Sequence, residues 1–202
     1  RLAPDALAEF LVYVSQHPDK AMIGHTIVDY GKETVQTLGG AKYNPLLAFG
    51  KRVLEGKNYR NLQVTEEEVL NQIDYMTGAS FAIRRQAYER VGLFDPRYFL
   101  YFEEIDLAKR MRRAGLSLGW AGKVIVEHKE GASISPDQRS VLSEYHATLS
   151  ALLVTQKHFP RMLPVTATIR LIYKILYYIK LRKVNLIRAH FAGIRAFMRR
   201  KS

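Results

Sequence analysis

The chain has 202 residues, 48% hydrophobic and 25% charged, which excludes a disordered polymer and suits one domain of ordinary size with an appendage. It contains no cysteine, so disulfides and thiolate metal sites are excluded. The net charge of +12 is confined to one end: residues 157–202 hold 12 basic residues and no acidic one, leaving 19 of each sign in residues 1–156, and such asymmetry points to a polyanionic partner for the tail.

In chain order, Pro4 to Gln16 has helical spacing, with Ala6, Leu7, Phe10, Leu11 and Val14 on one side and Pro4 suited to a first turn. Ala21 to Val28 is a strand-length apolar run that Asp29-Tyr30-Gly31 closes. Gly39 to Val64 reads as a long loop rich in Gly, Asn and Lys, an active-site flap by its length. Thr65 with Glu68 is a capping-box signature. Tyr75 to Ile83 predicts a buried strand interrupted by the small-residue turn Gly78-Ala79-Ser80, and a helix follows near Arg85 to Val91. Glu103 to Ala114 predicts a helix that Gly115 stops. Leu116 to Glu127 fits strands separated by Gly119 and Gly122, and from Ser140 onward the pattern is helical with breaks at Pro160 and Pro164.

The chemistry-bearing residues fall between Asp74 and His128. Three carboxylates, Glu103, Glu104 and Asp106, crowd the start of one helix, and His128 ends the apolar run Val124-Ile125-Val126 downstream. Such crowding is costly unless the groups do chemistry or bind a cation. A helix start also offers free N–H groups that favour ionised carboxylates, which predicts a charged and directed Glu104. The plainer alternative is acidic decoration of a helix N-terminus.

Four motifs in order, Thr77-Gly78-Ala79-Ser80, Val91-Gly92-Leu93-Phe94-Asp95, Phe102-Glu103-Glu104-Ile105-Asp106-Leu107-Ala108-Lys109-Arg110 and Val126-Glu127-His128, carry a resemblance. The chain resembles the acceptor half of family 2 glycosyltransferases, closest to the rhamnosyltransferase-like branch that builds bacterial surface polysaccharides. The likeness is strongest in these motifs and looser from Arg1 to about Pro164. It implies an α/β chain, the C-terminal, acceptor-side portion of a GT-A Rossmann-like fold followed by basic amphipathic helices. Residues 1–156 would form the acceptor and catalytic portion and residues 157–202 the helical tail. It implies an inverting transfer from a nucleotide-sugar donor, with rhamnose the sugar most associated with the branch, to a lipid-linked or polysaccharide acceptor, with Mg²⁺ or Mn²⁺ as cofactor.

Residue by residue, the resemblance assigns Glu104 as the base, a glutamate where aspartate is commoner in the family. Glu103 and Asp106 would orient that base, bind acceptor hydroxyls or hold nearby Arg and Lys. His128 matches the metal ligand that joins an Asp-x-Asp pair. Gly78, Ala79 and Ser80 would lie against the sugars, or form only a tight turn. Asp95 would touch substrate or order the loop before the acidic helix. Trp120 would stack on a sugar face or be a buried aromatic. No Asp-x-Asp and no glycine-rich phosphate loop occurs in the 202 residues, so the chain is expected to be a C-terminal fragment, inactive alone, lacking the nucleotide-binding half.

In the tail, Ile187, Phe191, Ile194 and Met198 form an apolar stripe beside Arg188, Arg195 and Arg199, with Tyr173, Tyr177 and Tyr178 upstream. Basic amphipathic helices of this kind suit an anionic bilayer surface. No uncharged apolar run reaches the about 18 residues a span needs. Residues 160–202 are therefore expected to lie on the membrane, peripherally at the cytoplasmic face of the bacterial inner membrane. The alternative is a helix pair packed on the domain or on a second subunit. Nucleic acid is not expected, since no base-reading motif accompanies the charge. The competing function class is a non-catalytic membrane-surface or partner-binding protein that keeps the half fold.

Overall fold

The computed structural model describes residues 1–129 and 136–200. It is mixed α/β, and the chain divides into two compact units. Unit 1 comprises Arg1–Tyr43, Gly50–Leu93 and Leu107–Glu130; unit 2 comprises Asn44–Phe49, Phe94–Asp106 and Gly131–Ser202.

Unit 1 is built around β1 (Lys20–Asp29), eight of whose ten residues are buried. One edge of β1 pairs in parallel along its whole length with β7 (Ser117–His128). Its other edge is shared end to end: β6 (Phe81–Ile83) pairs antiparallel with Met22–Gly24, and β2 (Val35–Leu38) pairs antiparallel with Thr26–Val28. Successive side chains point to opposite faces, so Met22 joins a core with Leu38, Val69, Ile73, Met76, Leu107 and Met111. Ile23 joins a second cluster with Ala6, Ala121, Val124 and Val126. A strand covered on both faces needs apolar residues throughout, and this is why Ala21 to Val28 reads as a continuous run.

Helix α1 (Ala6–Gln16) forms where its spacing predicts, but it packs through a different stripe. Ala6 is buried and Phe10, Tyr13 and Val14 pack against the second cluster, whereas Leu7 and Leu11 are 67% and 57% exposed. The span from Gly39 to Val64 is not the expected flap. It contains β3 (Gly40–Asn44), β4 (Phe49–Arg52) and a 3₁₀ turn at Tyr59–Asn61, and β3 is the middle of a small sheet ordered β4-β3-β5. Val53, just after β4, bonds both β2 (Leu38 N to Val53 O, 3.2 Å) and β3 (Val53 N to Gly40 O, 3.3 Å). Likewise Tyr75–Ile83 is two strands, β5 (Tyr75–Met76) in the small sheet and β6 in the large one, because the turn closed by Ser80 N to Thr77 O re-aims the chain.

The capping box forms at α2 (Glu66–Leu70), with Thr65 and Glu68 bonding reciprocally. Helix α3 spans Arg85–Val91 and α4 spans Glu103–Arg113; Gly115, at φ +73°, ends the latter's turn as expected. Strand β7 is continuous through Gly119 and bulges past Gly122, where its register on β1 jumps from Ala121 to Ile125.

Unit 2 contains helices α5 (Pro136–His158), α6 (Leu163–Lys180) and α7 (Val184–Arg199). Gly193 brings α7 close to α5: a Cβ there would sit 2.7 Å from the Tyr145 carbonyl. The packed face of α7 is Leu186, Ala189, His190, Gly193 and Phe197, one position away from the predicted apolar stripe, which leaves Phe191 and Met198 exposed. The stretch Pro160–Lys180 is long and apolar enough to cross a membrane by length and composition, once up to two charged residues are admitted. A count of uncharged residues alone did not find it. Lys201 and Ser202, the end of the predicted tail, lie outside the described residues.

Gly24 sits where β1 meets the small sheet, and a Cβ there would lie 2.6 Å from both the Gly39 carbonyl oxygen and Met76 Sδ. Gly24→Ala should lower stability by about 1–3 kcal/mol in urea unfolding at unchanged m-value, the usual cost of overpacking. An unchanged midpoint would reject this close approach.

Candidate active site

Each unit carries part of the predicted constellation. In unit 2 the four carboxyls of Asp95–Asp106 have three different environments. Asp95 receives the Arg97 side chain through Nε (3.0 Å) and Nη2 (2.7 Å), the Arg97 backbone N–H (3.1 Å) and Lys157 Nζ (3.0 Å). Bonding by Arg97 first, and by Lys157, holds it well below the usual carboxylate range against its burial. It therefore orders the loop before α4, the second of its two expected roles.

Asp106 is fully buried, and its Oδ1 lies 2.7 Å from both Lys157 Nζ and His158 Nε2. The expectation that it assists the base is corrected: it fastens the end of α5 to the first turn of α4. Of the alternatives for Asp106, the one in which it holds a basic partner is the one observed.

Glu103 and Glu104 differ from both. Each keeps a buried Oε2 with no hydrogen-bond partner among the described residues. Burial, and then the neighbouring Glu103 charge, push Glu104 up to about 8; burial also raises Glu103. The helix N-terminus was expected to keep Glu104 ionised, but its N–H groups lower the pKa by less than desolvation raises it. A glutamate raised to such a pKa is matched to acid–base work near neutrality. Just before the pair, Tyr101 (φ +65°) and Phe102 (φ +70°) are both left-handed, and such residues cost about 1–3 kcal/mol each and concentrate at functional corners. The Tyr101 hydroxyl bonds Ser143 Oγ at 2.9 Å and helps hold that corner.

In unit 1, β1 delivers two histidine sites. Gly78 and Ala79 are exposed at the turn, and Ser80 Oγ lies 2.8 Å from His25 Nδ1. His25 was assigned nothing from the sequence. It is buried in β1, burial pushes it down to about 4, and its Nε2 has no partner among the described residues. Its signal was available: a histidine inside an apolar run of strand length is a polar group that needs a partner.

His128 is half-buried at the end of β7, opposite Asp29 of β1. Gln36 Nε2 donates to Asp29 Oδ1 (2.8 Å) and to the His128 carbonyl (2.9 Å). Both partners accept, so the amide orientation is fixed and Gln36 Oε1 faces His128 Nδ1 at 2.9 Å. In the neutral ring Nδ1 then carries the proton and Nε2 presents its lone pair, the state in which imidazole ligates a metal. His128 fits one coordination position. Among the described residues no group of three or more His, Cys, Asp or Glu could hold a metal, so further ligands would have to come from elsewhere.

Trp120 is corrected toward the core. It is 8% exposed, it belongs to the main hydrophobic cluster, and its ring packs against Gly39 and Gly122. It contributes to the wall of a cleft of about 390 Å³ whose polar groups include Tyr13, His17 and Glu66.

A stretch of 74 residues is 34% identical to the N-acetylglucosaminyl-diphospho-decaprenol L-rhamnosyltransferase of Mycobacterium tuberculosis, covering 37% of this chain and 24% of that protein. A stretch of 84 residues is 27% identical to the low-salt glycan biosynthesis hexosyltransferase of Haloferax volcanii, covering 42% of this chain and 26% of that protein. The chain spans about a quarter of the length of the relatives it matches. No family model matches. Over about two-fifths of its length the chain is similar to glycosyltransferases.

Two predictions follow from the geometry. A carboxyl whose folded pKa is raised is favoured protonated, so the pair's contribution to stability is present below about 4.5 and is lost as pH rises toward 8. Glu104→Gln removes that loss, so the variant's stability relative to the parent should climb between these pH values in denaturant titrations. Parallel curves would show an unperturbed Glu104. Gln36→Leu should let His128 populate both neutral tautomers, read from ring ¹⁵N shifts, and a ring still protonated only at Nδ1 would remove Gln36 as its director.

Proposed function

We propose that the chain is the acceptor-side portion of an inverting family 2 glycosyltransferase of GT-A fold, with residues 1–156 forming its catalytic part. The observation that carries this reading is the buried Glu103–Glu104 pair, each with an unpartnered Oε2 among the described residues and Glu104 pushed up to about 8, behind a strained corner in a chain similar to glycosyltransferases. The ionised Glu104 takes the proton of an acceptor hydroxyl as its oxygen attacks the anomeric carbon of a nucleotide sugar. The bond to the nucleoside diphosphate breaks on the opposite face, which inverts the centre. The neighbouring Glu103 charge helps to raise Glu104.

Gly78, Ala79 and Ser80 would border the sugars, with Ser80 held by His25. A divalent cation, Mg²⁺ or Mn²⁺, held in part by His128 Nε2, would offset charge on the departing diphosphate. The names of the relatives favour a rhamnosyl or other hexosyl donor and a lipid-linked or glycan acceptor.

The tail is proposed to rest on the anionic surface of the cytoplasmic face of the inner membrane. In support, α6 exposes Ile172, Tyr173, Leu176 and Ile179, and α7 exposes Phe191 and Met198 on a helix that also carries Arg188, Arg195 and Arg199. Apolar and aromatic residues beside cations are the composition of an interfacial helix.

The test joins this chain to a family nucleotide-binding half and measures transfer from dTDP- or UDP-sugars to a prenyl-diphosphate-linked sugar. Glu104→Gln should cut kcat by about 10²–10⁴-fold, the usual weight of a general base, with the donor KM little changed. Full activity in that variant would overturn the assignment.

A further inference from the structure

Within unit 2, α5, α6 and α7 enclose a cavity of about 330 Å³ lined by Leu152, Ala167, Leu171, Ile194, Phe197 and His190, together with other side chains of the three helices. That volume is at the lower end of small-molecule sites, which are apolar with a few placed polar groups. The polar group of interest is His190, only 1% exposed.

Its Nδ1 lies 2.8 Å from Glu144 Oε1 and 2.8 Å from Thr148 Oγ1. Glu144 Oε2 receives Lys174 Nζ at 2.8 Å and the Tyr178 hydroxyl. One lysine therefore balances one carboxylate, and a protonated His190 would add an uncompensated charge inside an apolar wall. The neutral ring donates from Nδ1 to Glu144, which accepts only. The opposite nitrogen, Nε2, then carries a lone pair, and it is buried with no hydrogen-bond partner among the described residues. Other polar side chains at the wall have partners: Thr168 donates to the Pro164 carbonyl, and Arg170 to the Leu47 and Ala48 carbonyls, each at 2.9 Å. A buried acceptor facing an apolar hollow calls for a ligand with an apolar body and one donor. Helix α6, which forms part of this wall, exposes Ile172, Leu176 and Ile179 on its outer side, a surface that meets the source of such molecules if it meets a bilayer.

We propose that the cavity between α5, α6 and α7 is a binding site for an apolar alcohol, an alkyl or isoprenoid chain with a free hydroxyl that donates to His190 Nε2. The site is independent of the transfer reading, since it stands or falls on binding by unit 2 alone.

The test titrates octanol, its apolar isostere nonane, and octanoate into the full chain with ¹⁵N-labelled histidine. Octanol should bind saturably and shift the His190 Nε2 resonance toward the hydrogen-bonded value, while nonane should bind about tenfold more weakly, the weight of one hydrogen bond, and leave it unmoved. His190→Phe should erase octanol's advantage over nonane. Because that change also removes a partner of Glu144, Ala167→Phe provides a second variant that fills the hollow without touching the Glu144 cluster; it should abolish both ligands with the melting temperature kept. Equal binding of octanol and nonane, tighter binding of octanoate, no binding at all, or an Nε2 already hydrogen-bonded before ligand is added would each overturn the proposal.

Discussion

The structure of unit 1 depends on a single strand having no free side. β1 is covered on both faces and hydrogen-bonded on both edges, so its position is over-determined by three paired strands. Functional placement follows from that register. The parallel pairing of β1 with β7 sets Asp29 opposite His128, and β2 on the other edge of β1 supplies Gln36, which bonds both residues. One residue before the β2 pairing begins, the same strand supplies His25 to Ser80. A slip of one residue would turn each of these side chains to the opposite face. The chemistry of His128 is thus a consequence of main-chain pairing, with the side-chain amide of Gln36 selecting the tautomer.

Unit 2 is organised by buried charge. Asp106 and Glu144 are each enclosed, and each is matched by one lysine and one histidine: Lys157 with His158, and Lys174 with His190. Removing the lysine of such a set costs about 3–5 kcal/mol, because a buried carboxylate charge is left unmatched. This changes the meaning of the basic tail. Lys157 and Lys174 belong to the interior electrostatics of unit 2, and Arg170 bonds the carbonyls of Leu47 and Ala48. Arg188 and Arg195, by contrast, are exposed.

What was legible in the sequence is what local periodicity and end signals encode. The β1 run, α3, the capping box at Thr65 and Glu68, and the Gly115 stop are local statements, and they are found where expected. The strands between Gly39 and Val64 were not legible, because their pairing partners are remote: β3 is paired by β5 more than thirty residues away, and a four- or five-residue strand has no period of its own to show. The facing of α1 was misread because Leu7 and Leu11 satisfy the helical spacing as well as Tyr13 does; only β7 decides which stripe is covered. In the candidate site the acidic cluster could be located but not sorted. Gln36, His25 and His190 left no motif, since their roles come from neighbours brought by the fold.

The sorting of the acidic cluster is the physical core of the functional reading. Four carboxyls within Asp95–Asp106 share one sequence neighbourhood and diverge by environment. Asp95 is held ionised by Arg97 and Lys157, Asp106 is matched by Lys157 and His158, and Glu103 with Glu104 have no cation bonded to them among the described residues. A stability-driven arrangement would give the buried glutamates cations as it does the two aspartates. Leaving two carboxyls against each other, after two left-handed residues that no glycine relieves, adds repulsion and backbone strain at one point. The same features give a glutamate whose pKa is raised to about 8. Divergent pKa values among adjacent acids are the general mark of assigned acid–base roles. In this chain the divergence points to Glu104, and it does so without reference to the metal or the donor.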